Sequence, residues 1–164
     1  MPSALARQFT PAFSLRPGAV ADIADLLALE RQVFATDQMS RRSFRHFLIS
    51  PGAALIVLDR AGLFSGYALA LFHPRSAAAR LYSIAVAPTA AGQGGGSLLL
   101  GAAEEAAREG GYASMRLEVH TANTSAIACY RKAGYRVFGR RTNYYGDGAD
   151  ALRFHKALCP PPVV

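Results

Sequence analysis

From Leu81 to Leu100 the chain runs Leu-Tyr-Ser-Ile-Ala-Val-Ala-Pro, then Thr-Ala-Ala-Gly-Gln-Gly-Gly-Gly-Ser, then Leu-Leu-Leu. This stretch leaves little choice of fold. Leu81 to Val86 reads as a strand that Pro88 ends. From about Gly94 the apolar residues Leu98, Leu99, Ala102, Ala103 and Ala106 recur at helical spacing. The glycines therefore stand at a strand-to-helix turn. Without Cβ atoms, the backbone N–H groups of Gln93 to Ser97 can close on an anion, and the helix dipole adds about half a positive charge there. The segment is suited to phosphate.

Three phosphate-binding devices use such a turn. A P-loop needs Lys after its last glycine, and Gly96 is followed by Ser97. A dinucleotide fingerprint counted from Gly92 needs Gly or Ala at its sixth place, again Ser97, and an acid about 20 residues on; Glu118 lies near enough to keep this alternative open. The third is the pyrophosphate loop of the GNAT acyl-CoA-dependent N-acetyltransferases. Val86-Ala87-Pro88 through Gly92-Gln93-Gly94-Gly95-Gly96 resembles it closely, with Ala91 where that family usually has Gln or Arg.

The rest of the chain fits one domain. Its 164 residues suffice for a core, and every apolar run is cut short of the ~20 residues a membrane span needs. Residues 1–12 read as a loose tail without a secretion signal, 13–158 as one α/β domain, and 159–164 as a closing tail. Cys129 and Cys159 match no metal spacing and are too few for a disulfide framework, so a reducing cytoplasm is expected and no metal site.

The net charge of +7 concentrates in residues 111–164, with 8 Lys or Arg against 3 Asp or Glu, interleaved with tyrosines. A nucleic-acid surface is conceivable, but Tyr135, Val137 and Gly139 alternating with Arg136, Phe138 and Arg140 reads better as a strand with one buried face and solvated charges.

In order, the pattern predicts a strand at 13–16 and a helix at 20–34 with Ile23, Leu26, Leu27 and Val33 inward. A second helix capped by Ser40 follows, carrying Phe44, Phe47 and Leu48. A hairpin is expected at 53–59 and 65–72, then the central strand and loop helix, a strand at 114–119, a helix at 125–132, and strands at 135–141 and 151–156. The order β-α-α-β-β-β-α-β-α-β-β resembles the GNAT fold over nearly the whole chain. That resemblance implies a mixed, mostly antiparallel sheet flanked by helices, with strands 4 and 5 splayed.

A second cluster is Leu117-Glu118-Val119-His120 with Asn123, Ser125, Ala126, Ile127 and Tyr130. Strand alternation sets Glu118 and His120 on the face opposite Leu117 and Val119. This cluster, with Arg140-Arg141-Thr142-Asn143-Tyr144-Tyr145, resembles the ribosomal-protein-alanine N-acetyltransferase branch of the family, although Ala35 to Ser40 replaces that branch's Pro-Trp-Ser-like stretch. Leu81 to Ile84 and Asp150 to Phe154 are also similar to GNAT domains that other proteins fuse to a peptidase-like domain, which is not expected here.

The resemblance implies acetyl-CoA as cofactor, held by Ile84, Ala85, Val86, Ala91, Gly92, Gln93, Gly94, Gly95, Gly96, Ser97, Asn123, Ser125 and Tyr130. It implies an acceptor groove using Asp37, Gln38, Met39, Tyr144 and Tyr145. Only a neutral amine attacks a thioester, and α-amines and lysines have ordinary pKa values near 8 and about 10.4. Glu118, directly or through water, is the expected base; Tyr130 is the expected acid for the departing thiolate. Backbone N–H groups of Ile84 to Val86 are expected to stabilise the oxyanion. The expected acceptor is a protein or peptide N-terminus, a ribosomal protein among the candidates, with a lysine side chain or small amine as alternatives. The assembly expected is a monomer or weak homodimer, away from membrane.

Overall fold

The computed structural model describes residues 12–158, so both expected tails, Ala12 apart, and Cys159 lie outside the described residues. The elements are β1 (Phe13–Pro17), a 3-10 turn (Val20–Asp22), α1 (Ile23–Val33), α2 (Arg41–Ile49), β2 (Ala53–Arg60), β3 (Leu63–Leu71) and β4 (Ala78–Val86). Then come a second 3-10 turn (Pro88–Ala90), α3 (Gly95–Glu109), β5 (Ser114–His120), α4 (Thr124–Lys132), β6 (Arg136–Arg141) and β7 (Ala151–Ala157).

One seven-stranded sheet has the order β1-β2-β3-β4-β5-β7-β6. All its ladders are antiparallel except β4 with β5. The β2–β3 hairpin closes through Ala61 and Gly62, both at positive φ (50° and 76°), as a two-residue turn requires if its twist is to match the strands.

Period-2 alternation sends each strand's residues to two cores. Val57, Tyr67 and Leu69 pack with Ile23, Leu26, Leu29 and Phe44 of α1 and α2. Leu58, Ala68 and Ala70 pack with Leu99, Ala103 and Ala107 of α3 and with Tyr130, Tyr135 and Phe154. The expected Ser40 cap forms: its Oγ accepts from Ser43 N–H at 3.1 Å. Arg16 joins β1 to the start of α1 and to β2, donating to Asp22 at 2.7 and 2.8 Å and to Asp59 at 2.6 Å.

Three expectations are corrected. Val33 is 41% exposed, because the inward stripe of α1 runs through Leu29 and Glu30 instead, while Leu27, half-buried, still packs against the core. In α3, Leu98 faces solvent while Leu99 and Leu100 are buried; three consecutive leucines hid the phase. And β6 buries neither face, since it is the sheet's edge strand: Val137, expected inward, is 41% exposed, and Tyr135, just before the strand, is the buried member of that set.

The feature that makes a site is the β4–β5 junction. The parallel ladder covers only Ala78↔Ser114, Ala79↔Met115 and Arg80↔Arg116. Just beyond, β4 contains a bulge: against β3, Ser83 pairs with Leu69 and Leu81 with Ala70, leaving Tyr82 as the extra residue. A bulge bends its strand. β4 therefore leaves β5 where the ladder stops, and the two strands diverge as expected.

Candidate active site

A cavity of about 740 Å³ opens in that divergence. β4 lines one side from Arg80 to Ile84, and β5 lines the other from Leu117 to His120. The outer walls are the α1–α2 segment, through Phe34, Asp37 and Met39, and the β6–β7 loop, through Tyr144, Tyr145 and Asp147. Asn123, Ala126 and Tyr130 of α4 close the inner end.

Of the expected residues, Glu118, Tyr130, Ile84, Asn123, Asp37, Met39, Tyr144 and Tyr145 meet in this one space. Ala85, Val86, Ser125 and Gln38 do not line it; the Gln38 amide donates to Phe34 O at 2.8 Å, ending α1. Asn123 caps α4 by accepting from Ala126 N–H at 3.3 Å, so its capping role and its place in the wall coexist.

Glu118 has a side chain only 9% exposed, and it faces three guanidiniums. Arg80 Nη2 lies 3.2 Å from Oε2, and Arg153 Nε and Arg141 Nε lie 3.7 and 3.8 Å from Oε1. Arg153 is its cross-strand partner on β7, so the pairing follows from register. Tyr130 is 8% exposed and packs edge-on to Tyr135 at 5.8 Å. Burial, then the neighbouring Tyr145, pushes its phenol above the ordinary tyrosine range. It stays protonated at neutral pH.

The two outer walls are tied together. Asp37, at φ 58°, accepts from Gly146 N–H at 2.9 Å across the mouth. Arg80 donates to the Tyr144 hydroxyl at 2.7 Å. The His120 ring stacks on Tyr145 at 5.1 Å. Because His120 Nδ1 accepts from Ala122 N–H at 3.0 Å, its Nε2 carries the proton it donates to Asp147, at 2.8 Å.

Two groups were missed in the sequence. Glu30, 2% exposed, lies in the cavity wall, accepting from Met39 N–H at 2.8 Å and from the Tyr67 hydroxyl. Tyr67, its one proton so used, accepts from Ser83 Oγ at 2.7 Å. The signal was present: Glu30 falls at i+7 from Ile23 and i+4 from Leu26, a carboxylate on an apolar stripe. Arg80 was overlooked because the strand was taken to begin at Leu81.

The glycine loop, Ala91 to Ser97, does not line the cavity; it follows the end of β4, whose Arg80 to Ile84 do. Gly94 is the N-cap of α3 in the left-handed region (φ 88°), without a side-chain cap, and a Cβ built on it meets nothing within 4 Å. Conformation and open approach, not packing, require glycine there. At Gly95 the reason is packing, since a Cβ would stand 2.7 Å from Leu58 Cδ2. The unpaired first-turn N–H groups of a 15-residue helix are suited to an anion such as a pyrophosphate, and the cleft between β4 and β5 to a slender arm.

With this arrangement in view, the comparison with known sequences is decisive: the profile described as the Acetyltransferase (GNAT) family matches residues 20–135. The chain belongs to the GNAT family. A protein of Bacillus subtilis (strain 168) bearing the name of a ribosomal protein bS18-alanine N-acetyltransferase is 33% identical over 133 residues, covering 80% of this chain and 86% of that protein. The N-alpha-acetyltransferase RimI of Mycobacterium tuberculosis (strain H37Rv) is 33% identical over 140 residues, 83% and 87% of the two chains. The crystal structure of the ribosomal-protein-S18-alanine N-acetyltransferase from Escherichia coli superposes with a TM-score of 0.80 at 24% identity, covering 93% of this chain and 99% of that one, and shares its fold. This GNAT chain is accordingly an N-acetyltransferase of the RimI-like kind. Among the described residues no helix is long and apolar enough to cross a membrane, and no cluster of His, Cys, Asp or Glu is arranged to hold a metal.

Proposed function

We propose that this GNAT enzyme uses acetyl-CoA to acetylate the α-amine at the N-terminus of a protein or peptide in the cytoplasm, a ribosomal protein being the first candidate. The observation that carries the reading is the single cavity in which Glu118 and Tyr130 face one space, walled by two loops that a peptide would pass between. The names of the two 33%-identical relatives support the same acceptor class.

Acetyl-CoA, when bound, supplies an acetyl thioester; the N-terminus of α3, with Gly92 to Ser97, is suited to hold its pyrophosphate. Glu118 takes the amine's proton. Both of its oxygens already face guanidiniums, so a water ordered by the carboxylate carries that proton in preference to direct contact. Tyr130 donates a hydrogen bond to the sulfur as negative charge gathers there. Full transfer from an ordinary phenol to a thiolate is uphill by about 2 kcal/mol, and burial of Tyr130 makes it more so, so donation rather than complete transfer is its main contribution.

Glu118→Gln tests the reading. Acetyl-CoA binding, followed by thermal shift, should persist, while turnover on peptides with free N-termini falls by about 10²-fold. The deficit should shrink toward alkaline pH, where the amine is neutral unaided. Unchanged turnover at neutral pH would remove Glu118 from the chemistry. Turnover of N-terminally blocked lysine peptides or small amines alone would replace the acceptor.

A further inference from the structure

We infer that the sheet face formed by β5, β7 and β6 docks single-stranded RNA, with a base lying on Phe138 and phosphates on Arg116, Arg136 and Arg153.

This face is uncovered. On its side of the sheet, α1 and α2 pack on the other strands, through Leu55, Val57, Tyr67, Leu69 and Ala85 of β2, β3 and β4. Met115, Leu117 and Val119 of β5 and Phe154 of β7 point into the core on the opposite side, beneath α3, so alternation turns Arg116, Arg153 and His155 outward. Interleaved basic and aromatic residues in this third of the chain would need no partner if β6 had a buried face. It has none, so ring and charges alike are presented to solvent.

Register gathers them. Arg116 on β5 pairs with His155 on β7, and His155 with Arg136 on β6, while Arg153 pairs with Glu118 on one side and with Gly139, next to Phe138, on the other. Phe138, 47% exposed, stands among them: the guanidinium carbons of Arg153 and Arg116 lie 4.7 and 5.8 Å from its ring centre, and the His155 ring lies edge-on at 6.1 Å. Glu118 is the one carboxylate on the three strands, and Arg80, Arg141 and Arg153 already face it. Arg116 and Arg136 are exposed, and among the described residues they form no ion pair.

Charge and shape select the partner. A second copy of this face would set arginines against arginines. An acidic peptide would meet the guanidiniums but offers no flat group to the ring. A nucleic acid supplies both, phosphates for the arginines and a base for Phe138, and it does so only as a single strand, because a duplex keeps its bases stacked on one another. The face is three strands wide, about 10 Å, which suits one such strand. RNA rather than DNA rests on the cytoplasmic location proposed above. Glu118 and His120, on the same face of β5, also line the cavity, so RNA docked here lies beside the acceptor's entrance.

The test is fluorescence anisotropy of a labelled single-stranded oligouridylate with the full chain. Binding is expected at low salt, with a slope of about −2 in log K against log salt for three phosphate contacts. Arg116→Gln and Arg136→Gln should each reduce that slope by about 0.7. Phe138→Leu should weaken binding roughly tenfold with the slope unchanged, and Phe138→Tyr should restore it, since stacking needs the ring. Arg45→Gln removes the same charge from α2, over the other half of the sheet, and should change neither affinity nor slope. None of these residues lines the cavity, so peptide turnover should be unaltered in every variant, which also reports that each is folded. Absence of binding at low salt overturns the inference, and so do equal losses in Arg45→Gln and Arg116→Gln, which would reduce the effect to net charge. Undiminished binding by Phe138→Leu, or tighter binding of duplex RNA or oligothymidylate, overturns it too. Displacement by polyglutamate at equal charge would make the partner an acidic protein instead. All of these outcomes leave the proposed acceptor standing, because binding is read without turnover.

Discussion

Glu30 offers the sharpest check on how the cavity is held. Burial raises its carboxyl above the ordinary carboxylate range, against the lowering pull of Met39 N–H and Tyr67. In the unfolded chain the same group has a pKa near 4.3. Between the two values the native state holds a proton that the unfolded state has lost, so stability falls as pH rises, at up to about 1.4 kcal/mol per pH unit for one proton. The contribution is whole below the unfolded pKa and is lost as pH climbs through the folded one. Glu30→Gln removes the proton but can keep the contacts: its oxygen accepts from Met39 N–H, and its amide donates to Tyr67, which turns its own proton to Ser83. Relative to the unaltered protein, this variant should therefore gain stability as pH rises. Glu30→Ala instead leaves Met39 N–H and one side of Tyr67 unmatched beside a new void, a loss of roughly 3 kcal/mol or more. Urea unfolding of the three proteins at a series of pH values measures both. Parallel stability curves for Glu30 and Glu30→Gln from about pH 4 to pH 8 would show that the carboxyl titrates as it does in the unfolded chain, refuting the reasoning.

Other outcomes follow from the same geometry. Acetyl-CoA at a hundred times its dissociation constant should stabilise the protein by about 2.7 kcal/mol in a thermal melt, and NADH should not. Gly94→Glu should abolish that shift, while Gly94→Asn, which tolerates left-handed φ, should retain most of it and so separate charge from backbone strain. Tyr130→Phe should keep acetyl-CoA binding and lose about tenfold to a hundredfold in kcat, without rescue at alkaline pH, as single-turnover rates against pH will show. Lys156→Met strands Glu104, 5% exposed and paired with Lys156 at 2.6 and 3.1 Å; urea unfolding should report a loss of about 2 kcal/mol, largely recovered in the double variant with Glu104→Met.

The sequence was legible where local chemistry decides. The strand, glycine turn and helix around Leu81 to Leu100, the Ser40 cap and the hairpin about Ala61 and Gly62 all depend on neighbours in the chain, and all appear, although β4 starts three residues earlier, at Ala78, and the hairpin turn is tighter than expected. The phase of α3 was not legible, because Leu98, Leu99 and Leu100 offer the same hydrophobicity on three headings and only packing against β2 and β3 selects among them. β6 looked half-buried because its alternation is that of a strand with a core beneath it; its place at the edge is set by β7 pairing with β5, a long-range choice. In the site, strand alternation put Glu118 on the face opposite Leu117 and Val119, and the family resemblance pointed to Tyr130; both line the cavity. The arginines facing Glu118 come from β4, β6 and β7, which register alone brings together. The Tyr82 bulge leaves no mark in composition, yet it opens the sheet.

The shortness of the β4–β5 ladder has a mechanical consequence. β1 to β4 form one plate and β5, β7 and β6 another, and among the described residues their backbone seam is three ladder pairs with one hydrogen bond from Ala113 N–H to Ala77 O beside them. A thin seam between stiff plates is where a sheet yields first, so tilting one plate against the other is its softest deformation, and that tilt sets the width of the opening. Leu81 and Leu117, 3% and 1% exposed, stand at the apex like a wedge. Side-chain volume at these two core positions therefore acts as a spacer for the gap: shaving Leu81→Val should let the plates close, and its trace should be slower amide exchange along the unpaired edge of β4 before any change in the fold.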